Sequence, residues 1–382
     1  MKIIYLSNAR IPTEKAHGSQ IMKMCESFAR QGAEVELILP RRANEIKEDP
    51  FDFYRVARIF RITYIFCLDQ ESMKFLPEKL SFSLQKATFY LSARSYLLFK
   101  KYDYLYSREQ AAALWFRKAV IELHSLPAGI SQLDVFIWRR VFKFIALTKF
   151  IGQGLVDHGI NESDMMVAGD AADLEAFARI AGGKAELRNE LNLPGGKKII
   201  GYIGKYKTMG MDKGVGLLIK AFARVSAARD DCLLLLVGLN PEEIGEVDTL
   251  CRQLSIKPDR YRLLGHAPQT EAFKFMKACD LLAMAYPNIT HYAYYMSPLK
   301  LFEYMASGTP IMSTGLPSIR EILNENNSIL AAPDSESELV RGLESAMADP
   351  DKLSRLAIAA RADVERHTWL ERAKRIINFI NG

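Results

Sequence analysis

Short runs of consecutive apolar residues alternate along the whole chain with longer stretches in which apolar positions recur every three or four residues. The short runs read as strands buried on both faces, and the longer stretches as helices that cross over between parallel strands. In the first half the expected strands are KIIYLS (2–7), VELILP (35–40), YDYLYS (102–107), VIELHS (120–125), FIALT (144–148) and MMVAG (165–169). A helix from about Ser19 to Arg30 joins the first two and stops at Gly32. The pattern restarts at KKIIGYIGK (197–205) and continues through CLLLLVG, YRLLG, DLLAMA and PIMST, each followed by a helical stretch. Strand and helix alternating in this way predict an α/β protein with parallel sheets.

The chain has 382 residues, of which 49% are hydrophobic. That exceeds what one core usually holds and predicts two domains of about 180 to 200 residues each. The segment RIAGGKAELRNELNLPGG, with its glycines, proline and charge cluster, marks the expected boundary near residues 178–196. Fifty-one basic against 45 acidic residues leave a net charge of +6. This suits an anionic substrate or lipid surface and does not argue for nucleic acid. The five cysteines, Cys25, Cys67, Cys232, Cys251 and Cys279, lie in apolar surroundings without metal or disulfide spacing, as buried thiols of a reducing, cytoplasmic setting would. MKIIYLSNARIP reads as a first strand broken by polar residues, not as a signal peptide, and no apolar stretch reaches the roughly 18 residues of a membrane span.

The candidate chemistry concentrates in SPLKLFEYMASGTPI (297–311). Ser297 is the expected N-cap and Pro298 the first-turn residue of a helix that ends at Gly308, with Pro310 opening the next strand. The amides near Leu299 and Lys300 would face an anion docked at the helix start, where the dipole is also positive. Glu303, one turn further in, is placed to accept hydrogen bonds from two adjacent hydroxyls of the kind a ribose presents. The plain alternative is that Pro298, Gly308 and Pro310 are ordinary punctuation and Glu303 a solvated helix residue.

This run resembles the nucleotide-sugar motif of the retaining glycosyltransferase family 4 (glycosyl transferases group 1). The resemblance implies the GT-B fold, two Rossmann-like doubly wound parallel-sheet domains facing a central cleft. It implies an acceptor-binding domain at 1–185, a nucleotide-sugar-binding domain at 186–365, and a closing helix, about 366–382, that crosses back onto the first domain. In the family the counterpart of Glu303 binds ribose, and a second glutamate eight residues earlier contacts the donor sugar. Here that earlier position is Tyr295, leaving sugar contact to Tyr295, Tyr294 or His291. YIGKYKTMGMDKGVGLLIKAF resembles the segment whose two basic residues hold the diphosphate, and these fall on Lys205 and Lys213; without the resemblance, two solvated loop lysines would be the reading. LLGHAP (263–268), with His266, resembles the segment lying against the nucleobase, and VAGDAADLEAF (167–177) partly resembles the interdomain hinge. In the first half, His17, Gly18 and Ser19 are expected at a helix start whose free amides can hold an anion or sugar, which makes His17 and Gly18 candidate donor-binding residues. His124 resembles the histidine that faces the donor sugar, although a lone histidine is more often structural.

The implied activity is sugar transfer to a hydroxyl of a glycan or lipid-linked acceptor, with Lys205, Lys213 and His124 as catalytic groups and with neither metal nor cofactor. The acceptor hydroxyl would attack from the face the diphosphate leaves, a diphosphate oxygen taking its proton. Two basic apolar stretches, 73–101 and 135–149, are candidates for peripheral contact with an anionic membrane, although FIALT in the second is expected to be a core strand and Trp138 a core aromatic. The family then suggests cell-surface polysaccharide or lipopolysaccharide assembly at the inner face of the membrane. A catalytically silent relative acting as a binding partner, and a sugar-nucleotide epimerase of the same architecture, are the alternatives. A dehydrogenase is disfavoured because no Gly-x-Gly-x-x-Gly follows the first strand.

Overall fold

Every apolar run expected as a strand forms one in the computed structural model, which describes residues 1–208 and 210–382. The described residues group into two compact units, Met1–Asp170 with Trp369–Gly382, and Ala171–Thr368. The sequence expectation set the division at 185/186, whereas the contact grouping sets it at 170/171.

In the first unit seven strands pair in parallel: β1 (Lys2–Leu6), β2 (Glu34–Pro40), β3 (Arg61–Ile65), β4 (Tyr104–Ser107), β5 (Ala119–Leu123), β6 (Lys143–Ala146) and β7 (Met165–Val167). Their order is β3-β2-β1-β4-β5-β6-β7. The second unit has β8 (Lys198–Ile203), a small antiparallel pair β9 (Lys207–Thr208) and β10 (Met211–Asp212), then β11 (Cys232–Val237), β12 (Tyr261–Leu264), β13 (Leu281–Met284), β14 (Ile311–Thr314) and β15 (Ile329–Ala331). Its main sheet is parallel, in the order β12-β11-β8-β13-β14-β15. Both orders reverse beside the first strand of the unit, which makes each sheet doubly wound with a switch point at β1/β4 and at β8/β13.

Two-sided burial explains why these strands are apolar throughout. In β8, Ile199 and Ile203 enter one core while Ile200 and Tyr202 enter the other, and in β11 Leu233, Leu235 and Val237 oppose Cys232, Leu234 and Leu236. Of the strands that the pattern did not announce, β15 and the β9–β10 pair have only two or three residues each, and β3 (RITYI) is an edge strand with one buried residue.

Two helix starts differ from expectation. The first helix spans Ala16–Arg30, so His17, Gly18 and Ser19 lie inside its first turn. The helix of the central motif spans Leu299–Ser307 with an extended Pro298 as its N-cap, so the expected cap at Ser297 and first-turn place of Pro298 are displaced by one residue. Its end is as expected: Gly308 takes the left-handed conformation at φ 71°. The final helix, Trp369–Asn381, groups with the first unit and packs on Ala16–Arg30. All five cysteines are buried and free, and among the described residues no helix is long and apolar enough to cross a membrane.

Candidate functional site

In doubly wound sheets ligands bind beyond the carboxyl ends of the strands, at the switch point. In the second unit that place lies between the segment after β8 and the segment after β13. Tyr304, inside the helix Leu299–Ser307, fixes this helix to the end of β8: its hydroxyl accepts from the Ile203 N–H at 2.8 Å and donates to the Ile203 carbonyl at 3.3 Å. The helix start, and the side chains of Lys300 and Glu303, are thereby held at the switch point.

After β8 the chain turns at Gly204, whose φ of 137° belongs to glycine. A methyl group there would also stand 2.7 Å from Lys300 Cε. The next residue, Lys205, is exposed, and its carbonyl accepts from the Tyr202 hydroxyl at 2.8 Å. The β9–β10 pair returns the chain to Lys213, which is partly buried. Burial, and then the charge of Lys205, lower the Lys213 amine to about 8, against a smaller opposing pull from Glu243. Glu303 is raised to about 7, by burial first and by Asp173 in addition; Lys300 and a hydrogen bond from Gln269 oppose the rise. The charges form a row at the start of the motif helix: Lys205 acts on Lys213, Lys213 on Lys300, and Lys300 on Glu303, a carboxyl that gains or loses its proton near neutrality. Such a site attracts a polyanion and keeps one acceptor for hydroxyl groups.

The other sequence candidates of this unit sit nearby in the fold. His266 is exposed on the loop after β12, and the same loop leads to Gln269, which reaches Glu303. Tyr294, Tyr295 and His291 lie in a π-helical turn, His291–Tyr295, directly before the motif helix, a local form enriched at functional sites. Burial lowers the His291 ring below the usual range. Sequence reasoning missed Gln269 and Asp173, which come from other loops and carry no motif of their own.

At the carboxyl end of the first sheet the structure gathers a different cluster. Glu122 on β5 is buried. Burial alone would raise its carboxyl, but Arg372, 2.8 Å away, and His124, 2.6 Å away, hold it well below the usual range. The Tyr106 hydroxyl also donates to Glu122. Arg372, from the final helix, donates in addition to the carbonyls of Gly169 at 2.8 Å and Ala168 at 3.1 Å. Arg108 lies 2.9 Å from His124 Nδ1, and since guanidinium only donates, Nε2 of the ring carries the proton toward Glu122. Burial and Arg108 lower His124 to about 4, so the ring is neutral with both nitrogens engaged. Arg108 also donates to Gln20 at 2.9 Å, and Gln20 donates to Asp170, whose carboxyl burial raises to about 7.

His17 is likewise lowered to about 4, by burial, Arg108 and Lys15. Gly18 has a packing role: a methyl group there would stand 2.1 Å from the Tyr54 hydroxyl, which bridges the Thr13 amide at 2.7 Å and carbonyl at 2.8 Å. Arg108, Glu122, Asp170 and Arg372 were not legible in the sequence. They come together only through the tertiary fold.

Two parallel, doubly wound units, the second with a cationic cluster at its switch point, define an α/β protein of the GT-B fold class. Residues 183–363 match the family described as Glycosyl transferases group 1. The chain is 27% identical over 183 residues to phosphatidyl-myo-inositol mannosyltransferase of Mycobacterium leprae, covering 48% of this chain and 46% of that one. It is 25% identical over 244 residues to D-inositol 3-phosphate glycosyltransferase of Xylanimonas cellulosilytica, covering 61% and 55%. The matched stretches thus span about half the length of these relatives. Among solved structures, the fold matches Anabaena Alr3699/HepE in complex with UDP over 100% of both chains, at 18% identity and a TM-score of 0.72. It also matches a glycosyltransferase from Rickettsia africae ESF-5 at 14% identity and a TM-score of 0.76, over 100% of this chain and 97% of that one.

Proposed function

We propose that the protein is a retaining glycosyltransferase that moves a sugar from a nucleotide diphosphate-sugar to a hydroxyl of a glycan or lipid-linked acceptor. The observation that carries this reading is the row of interacting charges at the second switch point, Lys205 with Lys213, Lys213 with Lys300, and Lys300 with Glu303, the last two on the helix Leu299–Ser307. The relatives, named as glycosyl-transferring enzymes, and the Anabaena neighbour, solved with UDP, support it.

Glu303 takes the ribose hydroxyls, and the lysines with the helix start take the diphosphate. As the bond between the anomeric carbon and the phosphate oxygen breaks, negative charge grows on the leaving diphosphate. Fixed cations stabilise that charge more in the transition state than in the ground state. The acceptor hydroxyl forms its bond to the anomeric carbon from the same face, and its proton passes to a diphosphate oxygen. The lysines and the helix dipole do the work of a cation, so turnover without added metal is the expectation. His124, neutral and with both nitrogens engaged, contributes as a fixed polar wall.

For the acceptor, support comes from the surface of the first unit. Phe75, Leu98 and Phe99 are 80%, 68% and 91% exposed. Beside Leu98 lies an open groove of about 1100 Å³ lined by Arg94, Lys100, Arg117, Lys118, Arg140 and Lys143, with Asp164 as its one acid. The exposed Leu98, which lines the groove, and Phe99 next to it suit an anionic lipid surface and a carrier-lipid acceptor in polysaccharide or lipopolysaccharide assembly.

The test of the donor grip is calorimetric titration with UDP, GDP and ADP, of wild type and Glu303→Ala, without added metal. Binding of one nucleotide, lost in the variant, is expected; failure of all three to bind overturns the reading. A second reading, a silent binding partner, is favoured by Tyr295 standing where the family has a glutamate. It predicts nucleotide binding with no turnover of any donor.

A further inference from the structure

Lys300 is 8% exposed, and its Nζ has no hydrogen-bond partner among the described residues. The amine sits over the face of the Tyr202 ring, 3.3 Å from the centroid. Gly204 leaves the space it occupies: a Cβ there would be 3.0 Å from Nζ. An ammonium group without an acceptor is among the least favourable things to bury, and native folds retain such a group where it has a use. From the sequence, Lys300 had only a backbone role at the helix start. Its side chain is the unexplained feature of the site.

The groups that face it are few. From the loop after β10 comes Lys213, which repels its charge. From its own helix comes Glu303, which favours it. From β8 comes the Tyr202 ring, whose hydroxyl is turned to the Lys205 carbonyl. Burial first, and Lys213 second, push the Lys300 amine well below its ordinary range, outweighing Glu303. A diphosphate resting on Lys205, Lys213 and the helix start would bring the acceptors this amine lacks, and negative charge to hold a proton on it.

We propose that the Lys300 side chain is a further ligand of the donor diphosphate, held against the Tyr202 ring until the nucleotide binds. Because burial and Lys213 press the Lys300 amine toward its neutral form and a diphosphate would favour the charged one, donor binding is expected to be linked to proton uptake. The inference rests on the nucleotide reading of this site. It assigns to Lys300 a contact with phosphate, distinct from the contact of Glu303 with ribose.

Titration of wild type and Lys300→Met with UDP, GDP and ADP tests it, each run at pH 7.5 in two buffers of different ionisation enthalpy. The difference between buffers counts protons taken up. Wild type is expected to take up a substantial fraction of a proton with the diphosphate it prefers. Lys300→Met should bind that diphosphate at least tenfold more weakly and take up correspondingly less, while the matching nucleoside, without phosphates, binds both proteins alike. Equal diphosphate affinity or equal proton uptake in the two proteins overturns the role of Lys300 alone. No binding of any diphosphate by wild type overturns the nucleotide reading and this inference with it. A Lys300→Met protein that fails to fold also overturns it, because an amine stored without partners is not holding the fold together.

Discussion

The two sheets share one strand order around their switch points, yet the polar groups at their carboxyl ends are arranged in opposite ways. In the first unit Glu122, Arg372, His124, Arg108, Gln20 and Asp170 bond one another in a continuous chain, and the final helix supplies Arg372 to close it. In the second unit Lys300 is left without a hydrogen-bond partner among the described residues, Lys213 is held below its ordinary range, and Glu303 is held above it. A completed network stabilises the folded chain, whereas an incomplete one of mostly one sign awaits a ligand. The same topology thus carries a closed network in one half and the proposed donor site in the other.

The largest effect should come from breaking the completed network. Arg372→Met strands the Glu122 carboxylate in the core and should cost about 3 to 5 kcal/mol of stability, read from urea unfolding. A loss below about 1 kcal/mol would break the comparison. In the second unit, Lys205→Ala or Lys213→Ala should leave stability nearly unchanged while lowering kcat by about 2 to 4 kcal/mol of transition-state stabilisation, measured by donor turnover. Full turnover in Lys205→Ala contradicts the site assignment.

A smaller effect is expected where backbone and site meet. Gly204→Ala combines a φ of 137° with a contact of 2.7 Å to Lys300 Cε and should cost about 1 to 3 kcal/mol of stability. It should also weaken nucleotide binding, which calorimetry would detect.

How much of this could be read in the sequence differs between the halves for a physical reason. The helix expected from about Pro298 to Ser307, with Glu303 one turn in, was legible because proline, glycine and charge fall within one short segment where local rules apply, whereas Lys205, far upstream, was singled out only through the family resemblance. The Lys300 side chain was not legible, since a lysine in the first turn of a helix ordinarily points to water, and only packing against Tyr202 and Gly204 buries it. The first-unit network was invisible because Arg372 and Glu122 are 250 positions apart in the chain. The inward-facing residues of each strand follow from its apolar run, but β3 (RITYI) escaped because an edge strand need not be apolar throughout, and β15 (ILA) because three residues make too short a run.

The histidines sharpen the comparison further. His17 and His124 lie near 4 when folded and about 6.5 when unfolded, so the unfolded chain binds more protons between those values. Stability from these rings is present above about 6.5 and lost as the pH falls through 4. Asp170, raised to about 7, acts with the opposite sign, favouring the fold as the pH falls from 7 toward 4. Asp170→Asn should therefore steepen the acid-side loss of stability. NMR titration should show the His124 ring neutral down to about pH 4; a midpoint near 6.5 contradicts its place in the network. The smallest effect lies outside both clusters: Phe99→Ser should change stability by less than about 0.5 kcal/mol while reducing sedimentation with anionic vesicles.

The most direct test of the contrast is a pair of thermal melts, Lys300→Met and Arg372→Met, each with and without the nucleoside diphosphate that wild type prefers among UDP, GDP and ADP. Without nucleotide, Lys300→Met should melt at or above wild type, since a buried unpaired amine has been replaced by an apolar side chain, and Arg372→Met should melt on the order of 10 °C lower. With nucleotide, Arg372→Met should keep the rise seen in wild type and Lys300→Met should lose most of it. A Lys300→Met protein that melts as low as Arg372→Met, or keeps the full nucleotide-induced rise, would contradict the account.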